Sequence, residues 1–546
     1  VSYSNDDHGP LGRAGVVLRS LKVLHQSGLI RPSRPDQLVR SGRAIRTLGV
    51  AAGPVWAGAR KDGDALCLVD ELGELTFHQM DRRTNALARS LAERGIGPDS
   101  LVALLARDHR GAVETMVAAG KLGARLMPMN TGFAGPQLAE VAAREGVDAL
   151  VYDEEFSETL AAARLPETVR RFLAWTDGER SGEGSAVPTL EQLIRDADDR
   201  PLPPPARPGP LVMLTSGTGG TPKAAPRAVG NPLAVAQLLD RIPLRAGECT
   251  VIGAPLFHGT GLSQFIMTLS LGSTGVVRRR FDPEALLGQI ERYRATTLVL
   301  VPTMLHRILD LDRKVLDSYD TSSLRIILVA GAPLTPELGN RATEVFGDVI
   351  HNMYGSTEVS VATVALPEDW KAAPGTVGRP PVGSRIALFD REGQQITEPG
   401  VTGRIFVESV LAFKGYTDGR TRETIGSMLG CGDLGHLDAE GRLFIDGRED
   451  DMIVSGGENV YPAEIENLLA DHEAIREAAV IGVPDEEFGQ RLKVYVVPVE
   501  GASLDEDGVR SYVKARLARH KVPRDVVFLG ELPRNSTGKL ARNRLL

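Results

Sequence analysis

At 546 residues the chain is longer than a single hydrophobic core organises, so two or more domains are expected. Its 42% hydrophobic and 25% charged residues are ordinary for a globular protein, which excludes a disordered or fibrous chain. Asp and Glu outnumber Lys and Arg by 71 to 63, a net charge of −8 that argues against a nucleic-acid partner.

The first residues lack the apolar core of a secretion signal, and no apolar run approaches the ~20 residues that span a bilayer. The stretch Leu11–Leu48 mixes Leu18, Leu21, Leu24, Leu29 and Ile30 with Arg13, Arg19, Lys22, Arg31, Arg34, Arg40 and Arg43. Such a basic, amphipathic lead-in packs on the main domain or makes peripheral contact with a membrane. The three cysteines, Cys67, Cys249 and Cys431, are scattered without metal-ligand spacing, and a reduced, cytoplasmic protein is expected.

From Asp64 strand and helix periods alternate. Met80, Thr84, Leu87, Ala88 and Leu91 share one helical face, ended by Gly95. A strand is predicted over Leu101–Ala106, a helix over Gly111–Leu122 closed by Gly123, and a short strand over Arg125–Met129. A helix over Pro136–Glu145 and a strand over Ala149–Tyr152 follow. Six prolines in Pro201–Pro210 make a stiff lead into an apolar strand, Leu211–Leu214. Alternation resumes with strands at Thr250–Ala254, Thr274–Val277, Thr297–Val301, Leu324–Val329 and Val349–Tyr354. Between them run helices near Leu262–Leu271, from Pro283 capped by Asp282, and on to Lys314. Repeated strand–helix units imply parallel sheets covered by helices, here two doubly wound sheets in series.

Beyond Tyr354 short strands between Gly and Pro, such as Arg385–Phe389 and Gly403–Glu408, suggest a small β subdomain. From Tyr461 the helices Pro462–Leu469 and Asp505–Ala518 and the strands Ala478–Val483, Leu492–Val497 and Val526–Leu529 read as a separate α+β domain.

The chemistry-bearing segments punctuate this frame. Thr215-Ser216-Gly217-Thr218-Gly219-Gly220-Thr221-Pro222-Lys223 joins glycines, hydroxyls and one cation, a composition that cradles phosphate, although a flexible polar loop has the same composition. It lacks the Walker spacing. Gly331-Ala332-Pro333 follows a strand and lets backbone lie flat against a ring, or is an ordinary turn. Tyr354-Gly355-Ser356-Thr357-Glu358 combines an aromatic, hydroxyls and a carboxylate suited to a hard cation. Asp433 stands between glycines, where an acid accepts both hydroxyls of a ribose or simply closes a turn. Ser455-Gly456-Gly457-Glu458 is a pliable lead into a helix, and His258 stands at a strand end.

In this order the segments resemble the adenylate-forming superfamily: acyl- and aryl-CoA synthetases, peptide-synthetase adenylation domains and firefly luciferases. The resemblance runs over roughly residues 64 to 546. It departs at Gly219, Ala224 and Ala330, where the family more often has Thr, Gly and Gly. It implies a large N-terminal adenylation domain of doubly wound sheets with a β subdomain, residues 64–449. A small, mobile α+β C-terminal domain, residues 450–546, and a lead-in over 1–63 complete the chain. It further implies that Thr215–Lys223 holds the ATP phosphates, Gly331-Ala332-Pro333 and Tyr354 the adenine, Thr357 a phosphate, Glu358 Mg²⁺, Asp433 the ribose and Arg448 the nucleotide. Asp450 is then the hinge, Ser455, Gly456, Gly457 and Glu458 line the passage for coenzyme A, and Lys539 bridges carboxylate and α-phosphate. His258, Gly259, Thr260, Gly261 and Leu262 begin the wall of the acid pocket.

The implied activity is ATP-dependent activation of a carboxylic acid through an acyl-adenylate, with transfer to coenzyme A. A medium- or long-chain fatty acid is the expected substrate, since Gly259–Leu271 is rich in small and aliphatic residues. An aryl acid, transfer to a carrier-protein thiol, and a non-catalytic sensor of nucleotide or acyl-CoA are the alternatives.

Overall fold

Two helices, Pro10–Gln26 and Pro35–Lys61, bring the chain to the sheets, and the second is broken at Gly49, whose φ is 79°. The computed structural model describes residues 10–30, 35–177, 187–214, 224–227, 232–413, 415–417, 419, 421–455, 458–485, 489–534 and 540–545. Pro35–Lys61 packs on the helices Phe77–Glu93, Arg110–Leu122 and Gly259–Ser270. Ala52, Val55 and Ala59 are buried in the largest core there. The lead-in is therefore in part an integral layer of the fold.

The hairpin Leu66–Asp70 and Gly73–Thr76 follows, and Thr76 caps the next helix, Phe77–Glu93, in a reciprocal capping box with Gln79. Such a box stabilises a helix start by about 1 kcal/mol. The hairpin joins the edge of a sheet whose other strands come much later in the chain. Its order is 363–365, 350–354, 326–330, 297–300, 249–252, 274–277, 66–70 and 73–76, and only the outermost strand at each edge is antiparallel to its neighbour. The other large sheet runs 170–175, 149–153, 101–105, 125–128, 211–214 and 224–227. The two sheets are thus interleaved in the chain and not strictly in series. An apolar pattern such as Leu66–Val69 marks a strand without saying which sheet edge it joins.

Other differences are local. The helix expected to run to Lys314 stops at Leu309, and a separate turn, Arg313–Leu316, restarts under the Asp312 cap. Ala224–Arg227 pairs antiparallel with Leu211–Leu214, an edge position that tolerates Pro226. Ion pairs join the sheets: Arg110 to Asp70 at 2.6 Å and Arg279 to Glu155 at 3.0 Å.

The β subdomain contains the long strand Met428–Leu437, paired with Gly403–Glu408 and Leu443–Arg448. The last sheet, 458–460, 453–455, 489–498 and 475–485 with 525–528 beside 489–498, forms the small C-terminal unit with the helices Pro462–Ala470 and Glu506–Lys514. Its core holds Ile465, Leu469, Val480, Val494, Val509 and Val513.

Candidate active site

In an open parallel sheet, ligands gather at the carboxyl ends of the strands. In the central sheet, neighbouring strands end at Tyr354, Ala330, Leu300 and Ile252. The row of turns beyond them carries Gly355–Glu358, Gly331-Ala332-Pro333, Val301 and Pro255–His258.

Backbone geometry shapes the first turn. A Cβ on Gly355 would lie 1.8 Å from the Ser360 carbonyl oxygen, so only glycine fits. The Ser356 hydroxyl accepts the backbone N–H groups of Glu358 at 3.2 Å and Val359 at 3.4 Å, and the Ser360 amide donates to the Ser356 carbonyl. The coiled turn carries Glu358 inward, where it is buried.

Glu358 Oε1 accepts the Tyr416 hydroxyl at 2.5 Å and faces Arg422 Nη2 at 3.4 Å. Burial pushes its carboxyl up, but Tyr416, Arg422 and Ser356 outweigh burial and hold it below the ordinary Glu range. The Tyr416 phenol is pushed up to about 12 by burial and by Glu358, so at neutral pH it is a donor. Phe413 packs edge-on against Tyr416, and its backbone N–H donates to the Glu358 carbonyl at 2.7 Å.

The second carboxylate faces the same strand end. Tyr354 donates its hydroxyl to Asp433 Oδ2 at 2.6 Å, and Arg448 Nη1 lies 3.6 Å from Asp433 Oδ1. Asp433 and Arg448 are cross-strand partners in the β subdomain. Burial, with the nearby Cys431 and Asp433, pushes the Tyr354 phenol far up. Gly432 brings both arginines together, since a Cβ there would meet Arg422 Nη1 at 3.3 Å and Arg448 Nη2 at 3.7 Å. Two carboxylates, two guanidiniums and two phenols thus converge from three segments.

The turn Pro255–His258 is built differently. His258 caps the helix Gly259–Ser270, and its ring lies 4.4 Å from that of Phe257. A Cβ on Gly261 would stand 2.3 Å from the Ala254 carbonyl, so the helix seats directly on the turn's backbone. Leu262 is buried in the main core. The Leu256 N–H donates to Asp108 Oδ1 at 3.0 Å, tethering the turn to the end of a strand in the other sheet. Burial pushes the Asp108 carboxyl up to about 7, against the pull of the Leu256 amide and Arg107.

Thr215–Lys223, Gly456, Gly457 and Lys539 lie outside the described residues, as do the side chains of Asp450 and Glu458. Ser455, the last residue of one strand, pairs with Glu458, the first of the next, and Asp450 stands in the single turn Glu449–Asp451. The sequence reading missed Tyr416, Arg422 and Asp108. The first two lie in a stretch with no periodic pattern, and Asp108 has no local motif.

A Mg²⁺ ion fits this donor set. Among the described residues no three His, Cys, Asp or Glu side chains form a metal cage. A single ionised carboxylate, Glu358, suits an ion completed by substrate phosphates and water. Among the described residues no helix is long and apolar enough to cross a membrane.

The family model for AMP-binding enzymes matches residues 55–417, and that for the AMP-binding enzyme C-terminal domain matches 464–539. The chain belongs to the AMP-binding, adenylate-forming enzyme family. It is 35% identical to an indoleacetate–CoA ligase of Aromatoleum aromaticum, over 86% of this chain and 92% of that one. It is 33% identical to a feruloyl-CoA synthase of an Amycolatopsis species, over 92% and 99%. A solved o-succinylbenzoate CoA synthetase from Bacillus subtilis, in complex with its acyl-adenylate, superposes with a TM-score of 0.78 at 27% identity, covering 90% and 97%. The protein is an AMP-forming acid–thiol ligase that uses ATP, Mg²⁺ and coenzyme A. The expected fatty acid fits these relatives less well than the aryl alternative, because the names of all three refer to aromatic acids.

Proposed function

We propose that the protein activates an aromatic carboxylic acid as its acyl-adenylate and transfers the aroyl or arylacyl group to coenzyme A. The aromatic-acid relatives carry this reading, and the acid end is compatible with it. Phe257 and His258 set two rings at the mouth of the helix Gly259–Ser270, and Gly259, its first residue, has open space where a side chain would stand.

In the first half-reaction the acid's carboxylate attacks the α-phosphorus of ATP and pyrophosphate leaves. Asp433 accepts the ribose hydroxyls through lone pairs beyond those used by Tyr354, and Arg448 neutralises the nucleotide. Gly331-Ala332-Pro333 and Tyr354 flank the adenine, and Thr215–Lys223 with Thr357 holds the phosphates. Glu358 holds the Mg²⁺, which offsets phosphate charge when bound. Lys539 bridges the two reacting groups and stabilises the charge that develops between them. A rotation about Asp450 then withdraws Lys539 and brings Ser455–Glu458 over the adenylate, so that the thiolate of coenzyme A displaces AMP. Phosphate stabilisation and thiol entry need different walls, which is the physical reason for two arrangements. The division into 64–449 and 450–546 follows that hinge.

Pyrophosphate release with ATP and Mg²⁺, over a panel of aromatic and fatty acids with and without coenzyme A, tests the proposal. Release with aromatic acids that yields the aryl-CoA thioester is expected. Release only with fatty acids contradicts the proposed acid, release without coenzyme A turnover transfers the reading to a carrier-protein thiol, and no release with any acid favours a sensor.

A further inference from the structure

The exposed face of the lead-in carries none of the residues named in the proposed reaction. Pro10–Gln26 packs on the helix Pro232–Asp240 through its buried face, where Ser20 and Leu24 lie. Beside that face the helix shows Val17, Leu18 and Leu21 to solvent, Leu18 at 67% exposure. At 100° per residue these three fall within an arc of about 100°. The next helix adds Val39, 70% exposed, in its first turns. Gly28 and Leu29, just past the end of one helix, line the same small cavity as Ser41 of the other, so the end of the first helix lies beside the start of the second. Four of the nine exposed large apolar side chains among the described residues therefore fall within a segment of 23 residues, Val17 to Val39.

Charge singles out the same segment. Residues 10–61 hold ten Lys or Arg against one acid, Asp36, in a chain whose net charge is −8. Lys22 and then Arg19 follow Leu18 on the solvent side of the arc, and Arg43 and Arg46 are exposed beyond Val39. Isolated exposed aliphatics need no explanation, but three on one arc of a strongly basic segment do. A second copy docking here by a two-fold axis would set two basic faces against each other. A bilayer with anionic headgroups takes both parts of the face, acyl boundary for the aliphatics and phosphates for the cations.

We propose that this face docks the enzyme on an anionic lipid surface, with Val17, Leu18 and Leu21 entering the headgroup boundary and Arg19 and Lys22 meeting lipid phosphates. The docking is independent of which acid the ligase activates, and it keeps the enzyme at the bilayer without a spanning segment.

The test is flotation of the intact protein with vesicles of phosphatidylcholine alone and vesicles that also contain phosphatidylglycerol. Binding only to the latter, weakened by salt, is expected. Arg19→Glu with Lys22→Glu lowers the vesicle partition coefficient about tenfold or more. Leu18→Ser with Leu21→Ser also lowers it about tenfold or more, since each lost aliphatic contact counts towards interfacial binding. All four side chains are exposed, so the melting temperature stays unchanged and a loss of binding is not a loss of fold. Absence of flotation with either vesicle, equal binding to both, or binding that neither double variant alters overturns the proposal. A concentration-dependent dimer that the Leu18/Leu21 variant disperses also overturns it, in favour of a second copy.

Discussion

The proposed nucleotide end and the proposed acid end of the site are built on opposite principles. At the nucleotide end, Tyr354, Glu358, Tyr416, Arg422, Asp433 and Arg448 come from three segments and hold one another through charge-assisted hydrogen bonds and ion pairs. At the acid end, the turn Pro255–His258 is seated by backbone contact with Gly261 and by one hydrogen bond to Asp108. The difference follows the substrates. ATP presents the same charges in every turnover, so a preorganised polar constellation suits it. The acid varies among relatives, and a wall of small and apolar groups changes its fit by side-chain size without disturbing the charges.

If this division holds, substitutions at the nucleotide end strike adenylation itself. Lys539→Ala has the largest expected effect, a loss of about 10²–10³-fold in pyrophosphate release. Thioester formation from supplied acyl-adenylate stays nearly intact, and equal loss of both half-reactions breaks the two-arrangement account. Glu358→Gln follows, with adenylation down about a hundredfold and a higher Mg²⁺ requirement, read from rates across a magnesium titration. An unchanged magnesium dependence removes Glu358 from the metal. Tyr416→Phe leaves the carboxylate in place and removes one charge-assisted hydrogen bond, so Mg·ATP binding in calorimetry weakens by about tenfold. Wild-type affinity means that Arg422 alone orients Glu358.

Asp108→Asn gives the smallest effect and sharpens the comparison at the acid end. The Asp108 carboxyl is raised to about 7 in the folded protein, whereas an unfolded Asp ionises near ~4. Between these values the unfolded chain releases a proton that the folded one keeps, so this group's stabilising contribution is full below ~4 and is lost as pH rises to about 7. Asn keeps an oxygen for the Leu256 amide and does not titrate. The variant therefore gains in melting temperature relative to the wild type as pH rises through that window. Parallel pH profiles for the two proteins contradict the assignment.

Much of the frame was legible in the sequence. The strands ending at Ala330 and Ile252 announce themselves by largely apolar runs, and Asp433 and Glu358 by the glycines and hydroxyls beside them. What stayed hidden depends on distant pairing. Arg422 and Tyr416 gain meaning only when Phe413 pairs with Glu358, 55 positions earlier in the chain, and Asp108 only when Leu256, 148 positions away, donates to it. The edge hairpin Leu66–Thr76 was hidden for the same reason, since its partner strand Thr274–Val277 lies some 200 residues on. The acid was the least legible part, and the relatives fit the aryl alternative better than the expected fatty acid. Small and aliphatic residues in Gly259–Leu271 suggested a fatty chain, yet Leu262, Phe265 and Leu269 are buried in the core.

The account stands or falls on the acid. An aromatic carboxylic acid and a fatty acid of similar carbon count, offered together to the enzyme with ATP, Mg²⁺ and coenzyme A, compete for one site, and the ratio of the two thioesters reports their relative kcat/KM. An excess of the aryl-CoA of about tenfold or more is predicted, and an excess of the fatty acyl-CoA contradicts the proposed function.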